Sequence, residues 1–281
     1  VLGTRPEIIR LCLIIKKLDI RCDHILVHTG QNYTESLNDV FFRELGLRKP
    51  NYSLGIQEKT FGAQIGQILE KTEGILLQEK PDRFLVLGDT NSALSAFIAE
   101  RYGIPVFHME AGNRCYDLKV PEEVNRKMID AISTWSFPYT PGSRENLIKE
   151  GKDKRKIYLS GNPIKEVLTA FESEIEGSTI LSLLGIEKEN YYLVTLHRAE
   201  NVDVKARLSE LMEGLTAVAK KHHKPIICST HPRTRDKLSR YGLDYSEDIR
   251  FLEPLGFFDF VKLERNAKCV LTDSGTVQEE C

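Results

Sequence analysis

Phe84-Leu85-Val86-Leu87-Gly88-Asp89-Thr90 and Val106-Phe107-His108-Met109-Glu110-Ala111-Gly112 decide the fold. Each opens with a short, mostly apolar run and ends in a turn of small and acidic residues. Helical periodicity over Ala93–Arg101 separates them. A strand, one helix and a second strand cross over right-handedly, which predicts neighbouring parallel strands. The carboxylates of Asp89 and Glu110 then project from one sheet edge. In open α/β sheets that edge holds the ligand crevice.

The same alternation runs along the chain. Further β-rich runs lie at His24–His28, Ser136–Tyr139, Ile157–Leu159, Tyr191–Thr195, Ile226–Ser229, Ile249–Leu252 and Lys268–Thr272. Helical patterns lie at Glu7–Leu18, Glu35–Leu45, Phe61–Gln78, Glu122–Ile132, Arg144–Glu150, Arg207–His222, Thr234–Tyr241 and Phe257–Asn266. Short apolar strands alternating with helices predict an α/β protein with parallel sheets covered on both faces. The alternation pauses over residues 164–190, around Glu176-Gly177-Ser178. That stretch is read as a connection between two Rossmann-like domains, residues 1–165 and 166–281. The first is expected to hold about six strands. The second is expected to be truncated after its fourth, and the chain is read as a fragment.

Composition narrows the partners. The 281 residues are 41% hydrophobic and 28% charged, which suits a soluble globular protein, and a net charge of −2 gives no reason to expect nucleic acid or a membrane surface. No apolar run approaches the roughly 20 residues that span a bilayer. Cys12, Cys22, Cys115, Cys228, Cys269 and Cys281 are scattered, without a C-x-x-C pair. They read as reduced, mostly buried thiols of a cytoplasmic protein and give no metal site.

Other strand ends carry charge of both signs. Gly3-Thr4-Arg5-Pro6-Glu7 is a strand-to-helix turn whose helix N-terminus and Arg5 suit a phosphate, with Arg10 near the same region. Pro121-Glu122-Glu123 opens a helix, and grouped carboxylates there would shift one another toward acid and base roles. His197-Arg198 suits a phosphate or a leaving group, and His231-Pro232-Arg233 repeats the theme. Thr272-Asp273-Ser274-Gly275-Thr276 lets a ligand approach backbone closely, though Ser and Asp are also ordinary helix caps. Glu280 lies further along, where a carboxylate can accept ribose hydroxyls. The aromatic run Phe251–Phe260 reads either as core or as a wall against a base.

Together these segments resemble the non-hydrolysing UDP-N-acetylglucosamine 2-epimerase family. Its hallmarks G-T-R-P-E, G-D-T, H-x-E-A-G, P-E-E-x-N-R, H-R-x-E-N and T-D-S-G-x-x-Q-E-E stand here at Gly3–Glu7, Gly88–Thr90, His108–Gly112, Pro121–Arg126, His197–Asn201 and Thr272–Glu280. The resemblance implies two Rossmann-like domains in a glycosyltransferase-B arrangement, UDP bound between them, a homodimer and no cofactor. It implies catalytic roles for Asp89, Glu110, Glu122 and His197. It implies nucleotide contacts for Arg5, Ser274, Gly275 and Glu280, and a uracil pocket at Leu255 and Phe260. Arg10, Arg198 and Thr276 complete the expected substrate contacts.

Some positions depart from the bacterial pattern. Arg10 stands for lysine, Thr276 for a second glycine and Asn113 for leucine. Gln31-Asn32-Tyr33-Thr34 replaces a segment of the allosteric UDP-GlcNAc site of some members. Thr29–Tyr33, Glu110–Cys115, Val120–Glu123, Pro254–Phe257 and Asp273–Thr276 resemble instead the branch that makes UDP-N-acetyl-L-fucosamine from a 6-deoxy-talose donor.

The implied reaction inverts C2 of a UDP-2-acetamido sugar. UDP is eliminated to leave a 2-acetamidoglycal, then added back while C2 is reprotonated from the other face. A glycosyltransferase of the same architecture would need an acceptor and would leave the acids of the first domain surplus. A silent UDP-sugar sensor would bind without C2 exchange. A hydrolysing epimerase would release free amino sugar.

Overall fold

The computed structural model describes residues 1–30, 35–58, 60–243 and 247–281. The segment Gln31–Thr34, where the departure from the allosteric pattern falls, lies outside the described residues. The chain forms two compact units, Val1–Val167 and Leu168–Cys281.

The first unit runs α1 (Arg5–Arg21), β1 (Val27–His28), α2 (Glu35–Glu44), β2 (Tyr52–Ser53), α3 (Phe61–Glu79) and β3 (Phe84–Leu87). A short 3₁₀ turn, Asn91–Ser95, leads into α4 (Ala96–Arg101), β4 (Val106–Met109), α5 (Pro121–Ile132), β5 (Trp135–Phe137) and α6 (Pro141–Lys149). Strands β3, β4 and β5 are parallel, with Leu87 opposite Met109 and Met109 opposite Phe137. The expected adjacency of the Asp89 and Glu110 strands is therefore found. Parallel β1 and β2 form a separate pair. Leu2 bridges to His28, and the Val1 nitrogen donates to the Leu85 carbonyl at 2.9 Å. The Val1–Leu2 segment thus lies between β1 and β3.

The expected strand His24–His28 shortens to Val27–His28. Residues 135–137, ending before Pro138, replace the expected 136–139, and Ile157 contributes only a bridge to Ser136. Proline has no N–H for the next rung of a ladder.

Helix α7 (Ile164–Ala170) leads into the second unit, followed by α8 (Glu172–Gly177) and α9 (Ile180–Leu184). The alternation resumes as β6 (Tyr192–Thr195), α10 (Ala199–Val202), α11 (Lys205–His222), β7 (Ile226–Ser229), α12 (Pro232–Tyr241), β8 (Ile249–Leu252), α13 (Phe257–Asn266), β9 (Cys269–Thr272) and α14 (Gly275–Glu280). The sheet is parallel in the order β8-β7-β6-β9. The connecting stretch, helical in parts, also contributes to the core. Ile180 and Ile186 pack with Tyr191, Leu193, Ile227 and Leu263 beneath this sheet. Each such apolar side chain stabilises the fold by roughly 1.5–3 kcal/mol through burial. The cysteines are all free, but only Cys12 and Cys228 are buried, against the expectation of mostly buried thiols.

Candidate functional site

The ends of β3 and β4 present two acids side by side. A Cβ added at Gly88 would sit 3.6 Å from the Glu110 carboxylate, which measures how closely the two turns approach. Asp89 accepts from the Arg126 Nε at 2.9 Å, and from its Nη2 as well. Glu110 is paired with the buried Arg10. It also takes a long bond from the Asn113 amide at 3.4 Å. Each acid is thus matched to its own guanidinium. The sequence reading turned Arg10 toward the nucleotide. In the structure its guanidinium joins Glu110, from the buried face of α1.

Arg126 was not among the expected site residues. It stands in Pro121–Arg126 and bridges Asp89 to Glu123. Asn125 adds a bond to the Asp89 carbonyl at 3.0 Å. The two neighbouring glutamates of that motif divide. Glu122 is exposed on the first turn of α5, whereas Glu123 is fully buried. Glu123 accepts the amides of Cys115 and Tyr116 at 3.0 and 3.2 Å and so orders the loop before α5. Burial alone would raise its carboxyl. The Cys115 and Tyr116 donors and Arg126 outweigh it and hold the group below its ordinary range.

At the start of α1 the acid is the structural piece. Glu7 is buried and accepts the Gly3 and Thr4 amides at 3.0 and 2.8 Å and the hydroxyls of Thr4 and Thr90. Burial pushes its carboxyl up to about 7 against the pull of those donors. Gly3 is required by space. A Cβ there would lie 2.1 Å from both the Ser92 and Thr29 hydroxyls. Arg5, the first residue of α1, lies over the Phe41 ring at 5.7 Å.

In the second unit Asp273 organises the turn after β6. It accepts the backbone N–H of His197 and of Arg198 at 3.1 and 3.0 Å and the Asn201 amide at 3.0 Å. It also pairs with His197 Nδ1 at 3.0 Å. Burial would raise this carboxyl, but His197, Asn201 and the Arg198 amide hold it well below the usual range. The expected cap of the following helix is therefore a clamp on the neighbouring strand end. Ser274 holds the N-cap position of α14, without a side-chain bond to the helix. Arg198 returns a bond from Nε to the Asp273 carbonyl at 2.7 Å. The His197 ring lies 5.8 Å from the His231 ring.

Gly275 and Thr276 form the first turn of α14, and Glu280 ends it. The charge of Glu280 adds to burial in raising the carboxyl of Glu264. Leu255 and Phe260 are partly buried against the Tyr191 and Leu193 core. Among the described residues no group of three or more His, Cys, Asp or Glu side chains is placed to hold a metal ion. No helix among them is long and apolar enough to cross a membrane.

Comparison with known proteins meets this geometry. Residues 16–281 match the family model described as UDP-N-acetylglucosamine 2-epimerase. The UDP-N-acetylglucosamine 2-epimerase of Methanocaldococcus jannaschii is 42% identical over 290 residues, covering 100% of this chain and 79% of that protein. A crystal structure of the Methanocaldococcus jannaschii enzyme in complex with UDP-GlcNAc and UDP superposes with a TM-score of 0.93. It is 41% identical and covers 99% of this chain and 79% of that one. A structure of UDP-N-acetylglucosamine 2-epimerase from Rickettsia bellii gives a TM-score of 0.91 at 46% identity, covering 99% of this chain and 74% of that one. With the motifs, the parallel sheets and a likeness that runs through the whole of this chain in agreement, the chain belongs to the UDP-N-acetylglucosamine 2-epimerase family.

Proposed function

We propose that this chain is a UDP-N-acetylglucosamine 2-epimerase that inverts C2 by eliminating UDP and adding it back. The observation that carries the reading is the pair of acids, Asp89 and Glu110, on adjacent strand ends and each matched to an arginine. One carboxylate removes the C2 proton as the C1–O bond to UDP breaks, leaving the 2-acetamidoglycal. A second acid protonates C2 from the opposite face as the C1–O bond reforms. Glu122, exposed at the start of α5, completes the proposed acid set. The substrate follows from the Methanocaldococcus jannaschii enzyme, whose structure holds UDP-GlcNAc and UDP.

His197 is assigned to the departing diphosphate. Its Nδ1 faces a carboxylate, so that nitrogen carries the hydrogen and Nε2 is the one presented to a ligand. Arg198, Arg5 and the Ser274–Thr276 turn supply further donors for developing negative charge. Leu255, Phe260 and Glu280 are assigned to the base and ribose.

Incubation of the full-length protein with UDP-GlcNAc in D2O tests the reaction. Both product and recovered substrate should gain deuterium at C2. Product without that label sinks the elimination route. A second substrate is favoured by the segments that resemble the fucosamine-forming branch, among them Glu110–Cys115, where Asn113 bonds Glu110. The same exchange measured with the UDP-6-deoxy-talose donor ranks the two sugars by kcat/KM.

A further inference from the structure

A second charged assembly is bonded to the backbone next to the two acids. His108, in the middle of β4, is completely buried. Its Nδ1 is 2.8 Å from Asp130 Oδ1 and its Nε2 is 2.8 Å from the carbonyl oxygen of Gly88. A carbonyl oxygen only accepts, and so does an ionised carboxylate. The ring therefore donates from both nitrogens, which the neutral imidazole cannot do. The other oxygen of Asp130 accepts the Gly112 amide at 3.0 Å and pairs with Arg114 Nη1 at 2.8 Å. Arg114, its side chain also fully buried, continues to Glu150, the residue that ends α6 as its C-cap. Lys152 Nζ, from the turn after α6, bonds the Asp130 carbonyl at 2.7 Å. The groups facing the ring and its partner are thus Asp130, Arg114, Glu150 and Lys152.

The attachment points give the assembly its purpose. The Gly88 carbonyl belongs to the peptide that leads into Asp89. The Gly112 amide lies two residues beyond Glu110. Asp130 belongs to α5, the helix that begins beside Glu122. A core built only for stability would be served as well by apolar side chains of similar volume. Three attachments to the three acid-bearing segments are what apolar packing would not provide.

We propose that doubly protonated His108 and Asp130 are a positioning pair that sets the mutual spacing of Asp89, Glu110 and Glu122. The proposal rests on the catalytic assignment of those acids.

Full-length His108→Gln and Asp130→Asn proteins provide the test, with C2 exchange in D2O and UDP affinity by calorimetry as separate readouts. Turnover should fall about 100-fold, the scale of an ångström-sized misplacement of catalytic groups. UDP affinity should stay within about threefold, since its proposed contacts lie largely elsewhere. Combining either change with Glu110→Gln should add little to the loss from Glu110→Gln alone, because residues acting as a unit are not additive. Turnover within threefold of the parent, or a parallel loss of UDP affinity, overturns the proposal. Asp89→Asn and Glu110→Gln alone separate the two layers. If they keep turnover, the acid assignment fails; if they lose it while Asp130→Asn does not, the positioning role fails. Should the variants not fold, nitrogen-15 NMR of the histidine-labelled parent decides. Hydrogen on both His108 ring nitrogens is expected, and a ring with one bare nitrogen rules the pair out.

Discussion

Glu110 is a non-glycine residue at φ +65°. That left-handed conformation costs on the order of 1–2 kcal/mol for an L side chain. The backbone is held there by the bond from its own N–H to the Phe137 carbonyl, and the side chain by Arg10. A strained residue whose carboxylate is aimed at a strand end fits a catalytic role. Arg10→Leu separates the two readings of that arginine. A phosphate contact predicts loss of UDP affinity. The observed pairing predicts instead that Glu110, with the Arg10 charge removed from a largely buried site, takes up a proton more readily and loses the proposed role of base. Turnover should fall at least about tenfold while UDP affinity changes by less than about 1 kcal/mol. Titration of the variant with UDP beside its D2O exchange rate decides the matter. Two residues along, Gly112 has φ +81°, and a Cβ would lie 2.1 Å from the Ser143 carbonyl oxygen. Backbone cannot yield as a flexible side chain would. Gly112→Ala should therefore cost about 2–4 kcal/mol in urea unfolding.

At the scale of the element, the first turn of α1 is the informative one. Its Thr4 and Glu7 are the halves of a capping box, but Glu7 also reaches Thr90, the residue after Asp89. The folded carboxyl titrates at about 7 against an ordinary 4.5. Between those values the folded chain binds more protons than the unfolded one. The stabilisation is then complete below pH 4.5 and is lost as pH rises through about 7, amounting to roughly 3 kcal/mol across the window. Glu7→Gln has no such titration. Urea unfolding from pH 4 to 8 should show the parent losing stability relative to the variant as pH rises. Two parallel curves would refute the assignment. The elements themselves were largely legible, because β3, β4, β7 and β8 are apolar runs long enough to register. Strand β2 was not, since Tyr52–Ser53 is too short for any alternation to show. Its neighbour β1 was overdrawn for a related reason. His24 and Ile25 are β-favouring, but Arg48 binds the His24 carbonyl outside the ladder.

At the scale of the whole chain, the motifs mark the segments proposed to carry chemistry but not who holds whom. Asp89 and Arg126 lie 37 residues apart, and His197 and Asp273 lie 76 apart. Their pairing depends on the parallel register of β3 with β4 and of β6 with β9, which strand-end motifs do not state. From sequence alone Asp273 is indistinguishable from a helix cap, because acids before a helix are usually caps. Nothing in the motif around His108 states that its ring bonds Asp130, 22 residues away. The resulting division of labour is testable across the two units. The acids are in Val1–Val167, and the turn built on Asp273 is in Leu168–Cys281. Asp89→Asn should abolish C2 exchange and leave UDP affinity within about tenfold, or about 1.4 kcal/mol. Asp273→Ala releases the His197 and Arg198 amides together with the His197 ring. It should weaken UDP binding by about tenfold or more, because hydrogen bonds to a charged group are worth roughly 1.5–3 kcal/mol each. The changes share no partner, so in the double variant their effects on UDP affinity should add within about 0.5 kcal/mol. Calorimetry on the four full-length proteins measures this. An Asp89→Asn protein that loses UDP as severely as Asp273→Ala would return Asp89 to a structural role.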